Sequence, residues 1–327
     1  MRNFSKKKLL EAVEKFKDKK VFVVGDVLLD KYVYGTVDRI NPENPGAHLL
    51  KINKEEYRLG GAGNVAMNIA SLNASASLIS IIGEDKEGFI VERLCLDNEI
   101  DTFFVRRRGE SIVKERYIES DHNHYILRAD YGETTLNSID GDLVNNICEG
   151  LRSSNFDALI LSDYNKIMFK GDLGARLIEF AREKKVPVVV DSKPANILSF
   201  RHATLVCPNL KEAREITGMF SASERELAER IRKIAESDYV IVTCGKKGMV
   251  CYGGLQYNEI PTNTRGVVDV TGAGDTARAA MALGLISGLN LHETTYLANY
   301  AAGVVVEKQG TATVSLDELR KRIREDS

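Results

Sequence analysis

The stretch Val267-Val-Asp-Val-Thr-Gly-Ala-Gly-Asp-Thr-Ala-Arg-Ala-Ala-Met-Ala-Leu283 decides how the rest of the chain is read. Gly272, Ala273 and Gly274 stand directly before Asp275 and an alanine-rich apolar run, so small residues give way to a helix at that point. The first N–H groups of a helix lack intrahelical partners and carry the positive end of the macrodipole. With no side chains in the way, a phosphate can approach them closely. Asp275 has two readings. It can be a dipole-stabilising cap, or it can accept the proton of a substrate hydroxyl while the bare amides of 272–274 hold the phosphoryl group that the hydroxyl attacks.

Upstream of this turn, apolar runs alternate with helical patterns. Val21–Gly25, Ala158–Ser162, Pro187–Asp191, Ala203–Val206 and Tyr239–Thr243 read as buried strands. Asn137–Leu151, Leu173–Arg182, Lys211–Thr217 and Glu224–Ala235 read as helices, and Met249–Tyr252 with Leu255–Ile260 as a hairpin. Helices are further expected over about Ser5–Phe16, Gly274–Ser287, His292–Glu307 and Ser315–Arg324. The pattern predicts an α/β fold, a doubly wound and mostly parallel sheet flanked by helices. Such a sheet binds its ligands past the carboxyl ends of its strands. Asp26 and Asp30, Asp163, Asp191 with Lys193, Asn209 with Glu212, and Thr243 with Gly245 all follow strands in this way, as turn residues or as site residues.

Two segments break the pattern. Residues 31–58 and 102–130 alternate apolar with charged positions, as half-exposed antiparallel strands do, and predict a small β-sheet lid assembled from two insertions. Between them Gly60-Gly-Ala-Gly-Asn64 opens a helix with Val65, Ile69 and Leu72 on one face. Gly61-x-Gly63-x-x-Ala66 also fits a dinucleotide fingerprint. The preceding Lys54–Arg58 is too polar for the buried strand that fingerprint needs.

At 327 residues and 43% hydrophobic content the chain can bury a sizeable core, and a single domain over 1–327 is expected. A formal charge of −2 offers no electrostatic case for nucleic acid or a membrane as partner, and the absence of Trp weakens any reading based on base stacking. The five cysteines are scattered, with no Cys-x-x-Cys pair, and read as reduced core residues. No signal peptide or membrane-spanning window is read, so a cytoplasmic location is expected.

The turn Asp269–Asp275 with Thr276, Ala279 and Ala280 resembles the C-terminal signature of the ribokinase/PfkB family of sugar kinases. Gly60-Gly-Ala-x-Asn64 with Gly83 resembles its N-terminal one, with Asn73 standing where that signature has Gly or Ser, as a left-handed helix cap would allow. The resemblance implies a ribokinase-like fold and phosphotransfer from ATP with Mg²⁺. By the same resemblance Asp275 and Gly272–Gly274 carry the catalysis, and Asp26, Asp30, Gly60, Gly61, Asn64 and Asp163 bind the sugar. Asn209, Glu212, Thr243, Gly245, Gly248, Gly272, Gly274 and Asn299 are implied on the nucleotide side, with Glu212 reaching the metal through water.

Within that family the chain is similar to the D-glycero-β-D-manno-heptose 7-phosphate kinases. The likeness runs through Val24–Tyr32, Arg39–Glu43, Leu127–Asp130, Ser162–Lys166, Asp191–Lys193 and Pro208–Leu210. Asn41, Asn44–His48, Asn165, Ser192 and Arg278 depart from that subgroup's pattern. A phosphorylated sugar calls for fixed cations, and Lys114, Arg116, Arg128 and Lys193 are the candidates, with a solvated sheet face as the alternative. The resemblance further implies pairing of two copies through their lids, and a nucleotidyltransferase on a separate chain as pathway partner. Other sugar or nucleoside kinases of the same fold, a catalytically silent sugar-binding regulator and a dinucleotide-dependent oxidoreductase are the competing readings.

Overall fold

The computed structural model of the chain describes residues 5–39, 41–122, 124–133, 141–254 and 256–326. The expected start of a helix at Asn137 and of a strand at Leu255, and the N-terminal segment 1–4, lie outside them.

A nine-stranded sheet forms the body. Its strands are β1 (Lys20–Gly25), β4 (Ser75–Gly83), β5 (Asp101–Arg107), β8 (Ala158–Ser162), β9 (Val188–Asp191), β10 (Leu205–Val206), β11 (Tyr239–Thr243), β12 (Met249–Gly253) and β13 (Gln256–Ile260). They run in the order β13-β12-β11-β10-β9-β8-β1-β4-β5. All neighbours are parallel except β11–β12 and β12–β13; the sequence pattern predicts a mostly parallel sheet and the β12–β13 hairpin.

Both faces are covered, which is why the central strands are apolar throughout. Alternate residues point to opposite faces. Ala158 and Ile160 join one core with Val65, Ile69, Met281 and Leu297, while Leu159 and Leu161 join the other with Ile147, Leu177 and Ile231. The first face carries α1 (Lys6–Val13), α2 (Ala62–Ser71), α3 (Lys86–Asp97), α8 (Ala273–Ile286), α9 (Leu291–Val305) and α10 (Leu316–Glu325). The second carries α4 (Gly141–Arg152), α5 (Leu173–Glu183), α6 (Leu210–Thr217) and α7 (Glu224–Ala235). Four of these helices start on a reciprocal capping box legible in the sequence: Asn209 with Glu212, Ser223 with Glu226, Asn290 with Glu293 and Ser315 with Glu318. All five cysteines are buried and free.

The smaller sheet has the order β3-β2-β6-β7, from β2 (Val27–Thr36), β3 (Lys51–Gly61), β6 (Val113–Glu119) and β7 (His124–Tyr131). The segment 102–112 expected in this lid does not belong to it. Thr102 to Arg107 pair in parallel with Leu78 to Gly83 at the edge of the large sheet, and the lid resumes at Val113. An edge strand packs on one side only, so its half-exposed residues resemble those of the lid. β4 and α3, which supply the partner for that edge, carry no expectation from the sequence.

Asn73 has φ 62°, the left-handed conformation expected of a helix terminator, and Asn165 has φ 55°. The polar strand β3 pairs antiparallel with β2, so the Gly61–Ala66 fingerprint lacks the parallel strand a dinucleotide site requires.

Candidate active site

The site lies where β1, β8, β9, β10 and β11 end, beneath the lid and at the start of α8. Gly272, with φ 80°, is the N-cap of α8, and no side chain caps that helix. A Cβ on Gly272 would lie 2.8 Å from Asn64 Nδ2, so the turn and α2 touch through a missing side chain. The three amides expected to be bare are not equivalent: that of Ala273 closes the turn by donating to the Val270 carbonyl at 3.3 Å.

Asp275 is buried within this turn. Its Oδ2 accepts from Asn64 Nδ2 at 2.8 Å, and its Oδ1 accepts from the Tyr164 hydroxyl at 2.9 Å and from Arg278 Nη1 at 3.2 Å. Burial lifts its carboxyl above the usual aspartate range, while Arg278, Asn64 and Tyr164 pull the other way. Asn64 is held in turn by Asn68, whose Oδ1 accepts from Thr276 at 2.8 Å. Asn64, expected among the sugar-binding residues, thus orients Asp275 directly.

The aspartates after the strands divide. Asp26 spends its carboxylate on four backbone N–H groups, those of Tyr164, Lys166, Ile167 and Met168, at 2.9 to 3.1 Å. Asp163 accepts from the amides of Asn165 and Lys193 and from Asn196 Nδ2. Both anchor loops, because a buried carboxylate satisfies the amides of a turn that has no strand to pair with. Asp30 is different. It takes Arg116 Nη1 at 2.7 Å and the Thr311 hydroxyl at 2.9 Å, in space that Gly60 leaves open: a Cβ on Gly60 would stand 2.7 Å from it. Gly61, with φ 59°, allows β3 to turn into α2 where a Cβ would stand 2.4 Å from the Asp26 carbonyl oxygen.

The four expected cations differ in their partners. Arg116 is committed to Asp30, and Arg128 pairs at the surface with Asp130 at 2.9 Å. Lys114 and Lys193 instead converge on Tyr164, each ammonium 5.4 Å from the ring centre. Burial lowers the Lys114 pKa. Burial acts likewise on Lys193, but Asp191 and Glu212 raise it overall. Tyr164 is the functional residue that position in sequence did not single out. Its hydroxyl reaches the candidate base while its ring carries both lysines, and the only signal for it was the quoted Ser162–Lys166 motif.

Of the residues expected on the nucleotide side, Asn209, Thr243 and Gly245 line a cleft of about 550 Å³ together with Leu210, Lys211, Arg214 and the exposed Phe220. Gly248, with φ 95°, holds the turn after Gly245 against β13, where a Cβ would meet the Ile260 carbonyl at 2.1 Å. Asn299 donates to the Pro261 carbonyl at 2.8 Å and so shapes the same wall from behind. Glu212 takes the Asn209 amide at 3.0 Å and Lys193 Nζ at 2.6 Å. Among the described residues no group of three His, Cys, Asp or Glu is placed to hold a metal ion. This donor set suits a magnesium ion carried by nucleotide phosphates and water, with Glu212 as an outer carboxylate.

The pfkB family carbohydrate kinase model matches residues 18–319. The chain belongs to that family. It is therefore a phosphotransferase acting on an alcohol group of a carbohydrate. Bifunctional protein HldE of Haemophilus influenzae is 39% identical over 315 residues, covering 94% of this chain and 64% of that protein. HldE of Pasteurella multocida is 37% identical with the same coverage. The chain thus spans about 64% of the length of these relatives. Among solved structures, phosphofructokinase-2 of Escherichia coli superposes with a TM-score of 0.78 at 20% identity, covering 94% of this chain and 98% of that one. A ribokinase of Thermotoga maritima gives 0.71 at 20% identity, covering 94% and 100%. These two establish the ribokinase-like fold. No helix among the described residues is long and apolar enough to cross a membrane.

Proposed function

We propose that the chain transfers the γ-phosphoryl group of ATP to the anomeric hydroxyl of D-glycero-D-manno-heptose 7-phosphate, giving the 1,7-bisphosphate and ADP. The observation that carries this reading is the pair Lys114 and Lys193 flanking Tyr164, whose hydroxyl holds Asp275. A sugar that brings its own phosphate meets two fixed cations at the ring of the tyrosine that holds the base. The motif resemblance to the heptose 7-phosphate kinases and the 39% identity to HldE support the same choice.

In the proposed reaction Asp275 Oδ2 accepts the anomeric proton as the sugar oxygen forms its bond to phosphorus and the bond to the ADP oxygen breaks. The amides at the start of α8 stabilise charge on the transferring group. Asp30, supported by Arg116 and Thr311, orients the sugar. Arg128 contributes only rim charge. Bound magnesium would neutralise phosphate charge. The lid excludes water, which otherwise competes as acceptor. The exposed Ile52, Tyr125 and Leu127 of the lid sheet support pairing of two copies there, and a monomeric mass at micromolar concentration would count against it.

The test is ADP release with MgATP against the heptose 7-phosphate, ribose, fructose and fructose 6-phosphate, with phosphorus NMR of the product. An anomeric phosphate formed from the heptose phosphate alone is the expected result. Turnover of an unphosphorylated sugar instead would remove the distal-phosphate role of Lys114 and Lys193. It would favour another kinase of the family, consistent with the departures at Asn41 and Asn44–His48 in the lid turn.

A further inference from the structure

Arg278 is a charge in an otherwise alanine-rich segment of α8, and it is 7% exposed. It stands one helical turn beyond Gly274, and a helical side chain leans over the turn that precedes it. Its guanidinium folds back beneath the glycine turn, so that a Cβ on Gly274 would lie 2.9 Å from Nη1. From there Nη1 reaches Asp275 at 3.2 Å, and Nη2 forms an ion pair with Asp191 Oδ1 at 2.7 Å at the end of β9. The second contact is Coulombic and off the hydrogen-bonding direction, since Asp191 Oδ1 and Arg278 Nε have no hydrogen-bond partner.

The surroundings of Asp275 define what this arginine does. From α2 comes Asn64, from the loop after β8 comes Tyr164, and both are neutral donors. Asp30 from β2 and Asp191 from β9 add like charge, and burial adds to the cost of ionisation. Arg278 itself faces Asp191, Asp275, Tyr164 and the Cys207 thiol, while Lys193 and Glu212 face Asp191 from the far side. Of the groups among the described residues that donate to the Asp275 carboxylate, Arg278 alone is a cation. A buried carboxylate keeps its charge only if donors and an opposite charge replace the lost water.

We propose that Arg278 is a positioning residue for the phosphoryl transfer: braced by Asp191, its guanidinium holds the Asp275 carboxylate anionic. It also turns that carboxylate so that Oδ1 is taken by Arg278 and Tyr164, while Oδ2, with Asn64 as its one donor among the described residues, accepts the substrate proton. The kinetic part of this inference rests on the kinase function proposed above; the structural part does not.

The experiment is a carbon-13 NMR pH titration of the full chain labelled at the aspartate carboxyl carbon, with Asp275 assigned by the loss of its signal in Asp275→Asn. In Arg278→Gln the Asp275 midpoint is expected to rise by roughly 1–3 pH units, the size of effect an adjacent opposite charge has on a carboxyl group. Arg278→Lys should restore most of the shift. Arg278→Met, which removes the charge and leaves an apolar side chain in the buried site, should raise the midpoint likewise and serves if Arg278→Gln does not fold. The acid limb of kcat/KM, measured with the sugar the wild type phosphorylates, should move with the midpoint in each variant. An unchanged midpoint in Arg278→Gln, or a rate loss equal at every pH that Arg278→Lys does not relieve, would overturn the proposal. A midpoint that moves without the rate profile would leave the coupling standing and overturn the proton-acceptor role of Asp275.

Discussion

The hydroxyl of Tyr164 donates to Asp275 Oδ1 at 2.9 Å, so a residue of the loop after β8 is tied to the first turn of α8. The tie matters because the same ring carries Lys114 and Lys193. Tyr164→Phe keeps the ring and deletes one donor to a buried anion, an interaction worth roughly 1.5–3 kcal/mol. Loss of about 10- to 100-fold in kcat, with little change in the KM for the sugar phosphate, is expected in steady-state kinetics.

Asp275→Asn should lower kcat by roughly 10²- to 10⁴-fold, the usual contribution of a positioned general base. With its amide oxygen toward Asn64, the new side chain donates to the Tyr164 hydroxyl through Nδ2 and gives up only the Arg278 contact, so binding of ATP and sugar should stay close to that of the wild type. Calorimetric titration alongside turnover separates the two. Wild-type turnover in this variant would return Asp275 to the simple capping role.

Among the described residues Lys114 forms no ion pair, whereas Lys193 is shared with Glu212. Replacing Lys114 by Met should therefore raise KM for a phosphorylated sugar by about 10- to 100-fold while leaving KM for ATP unchanged. Equal effects on phosphorylated and unphosphorylated sugars would show that the lysine does not read the distal phosphate.

Burial raises the Asp275 pKa, and Asp30 adds to the effect. The protonated acid cannot accept a proton, so activity is present above the raised value and lost as pH falls through it. The acid limb of kcat/KM must lie above about 3.9, the value of an ordinary aspartate. A second buried acid, Asp191, is pushed up to about 7 by burial. Its ionisation, which opposes folding, belongs to the window between about 3.9 and its folded value. Stability measured by urea unfolding should therefore fall more steeply from pH 5 to pH 7 in the wild type than in Asp191→Asn.

Gly303 lies inside α9, where alanine would ordinarily be the better helix former. Here a Cβ would stand 1.9 Å from the Asn263 carbonyl. Gly303→Ala should cost about 1–3 kcal/mol through overpacking, read as a lower urea midpoint at unchanged slope. A gain in stability would mean that the 261–266 segment yields at little cost.

The alternation of apolar runs with helical patterns made the large sheet legible, because strand burial and helical periodicity are local properties. Residues 102–107 were not legible in the same way. Phe103 and Phe104 are only partly covered as edge residues, and without β4 in view nothing in their pattern separates a parallel edge from a lid strand. Asp26 and Asp30 make the same point for the site. They sit four residues apart after one strand, yet one is enclosed by amides of 164–168 and the other by Arg116 and Thr311. Spacing indicated that both lie near the ligand; partners about 140 and 281 positions away decide what each does.

By itself, the sequence determined the α/β class, the uncapped glycine turn at Gly272–Gly274 and the aspartate that follows it, since helix starts and turn geometry depend on neighbouring residues. Only the tertiary structure decided which groups meet Asp275. Asn64, Tyr164 and Arg278 come from α2, from the loop after β8 and from the next turn of α8, and Asp191 braces the last of them from β9. A buried carboxylate takes its charge and direction from whatever replaces its water, and that is set by packing between elements rather than by order along the chain.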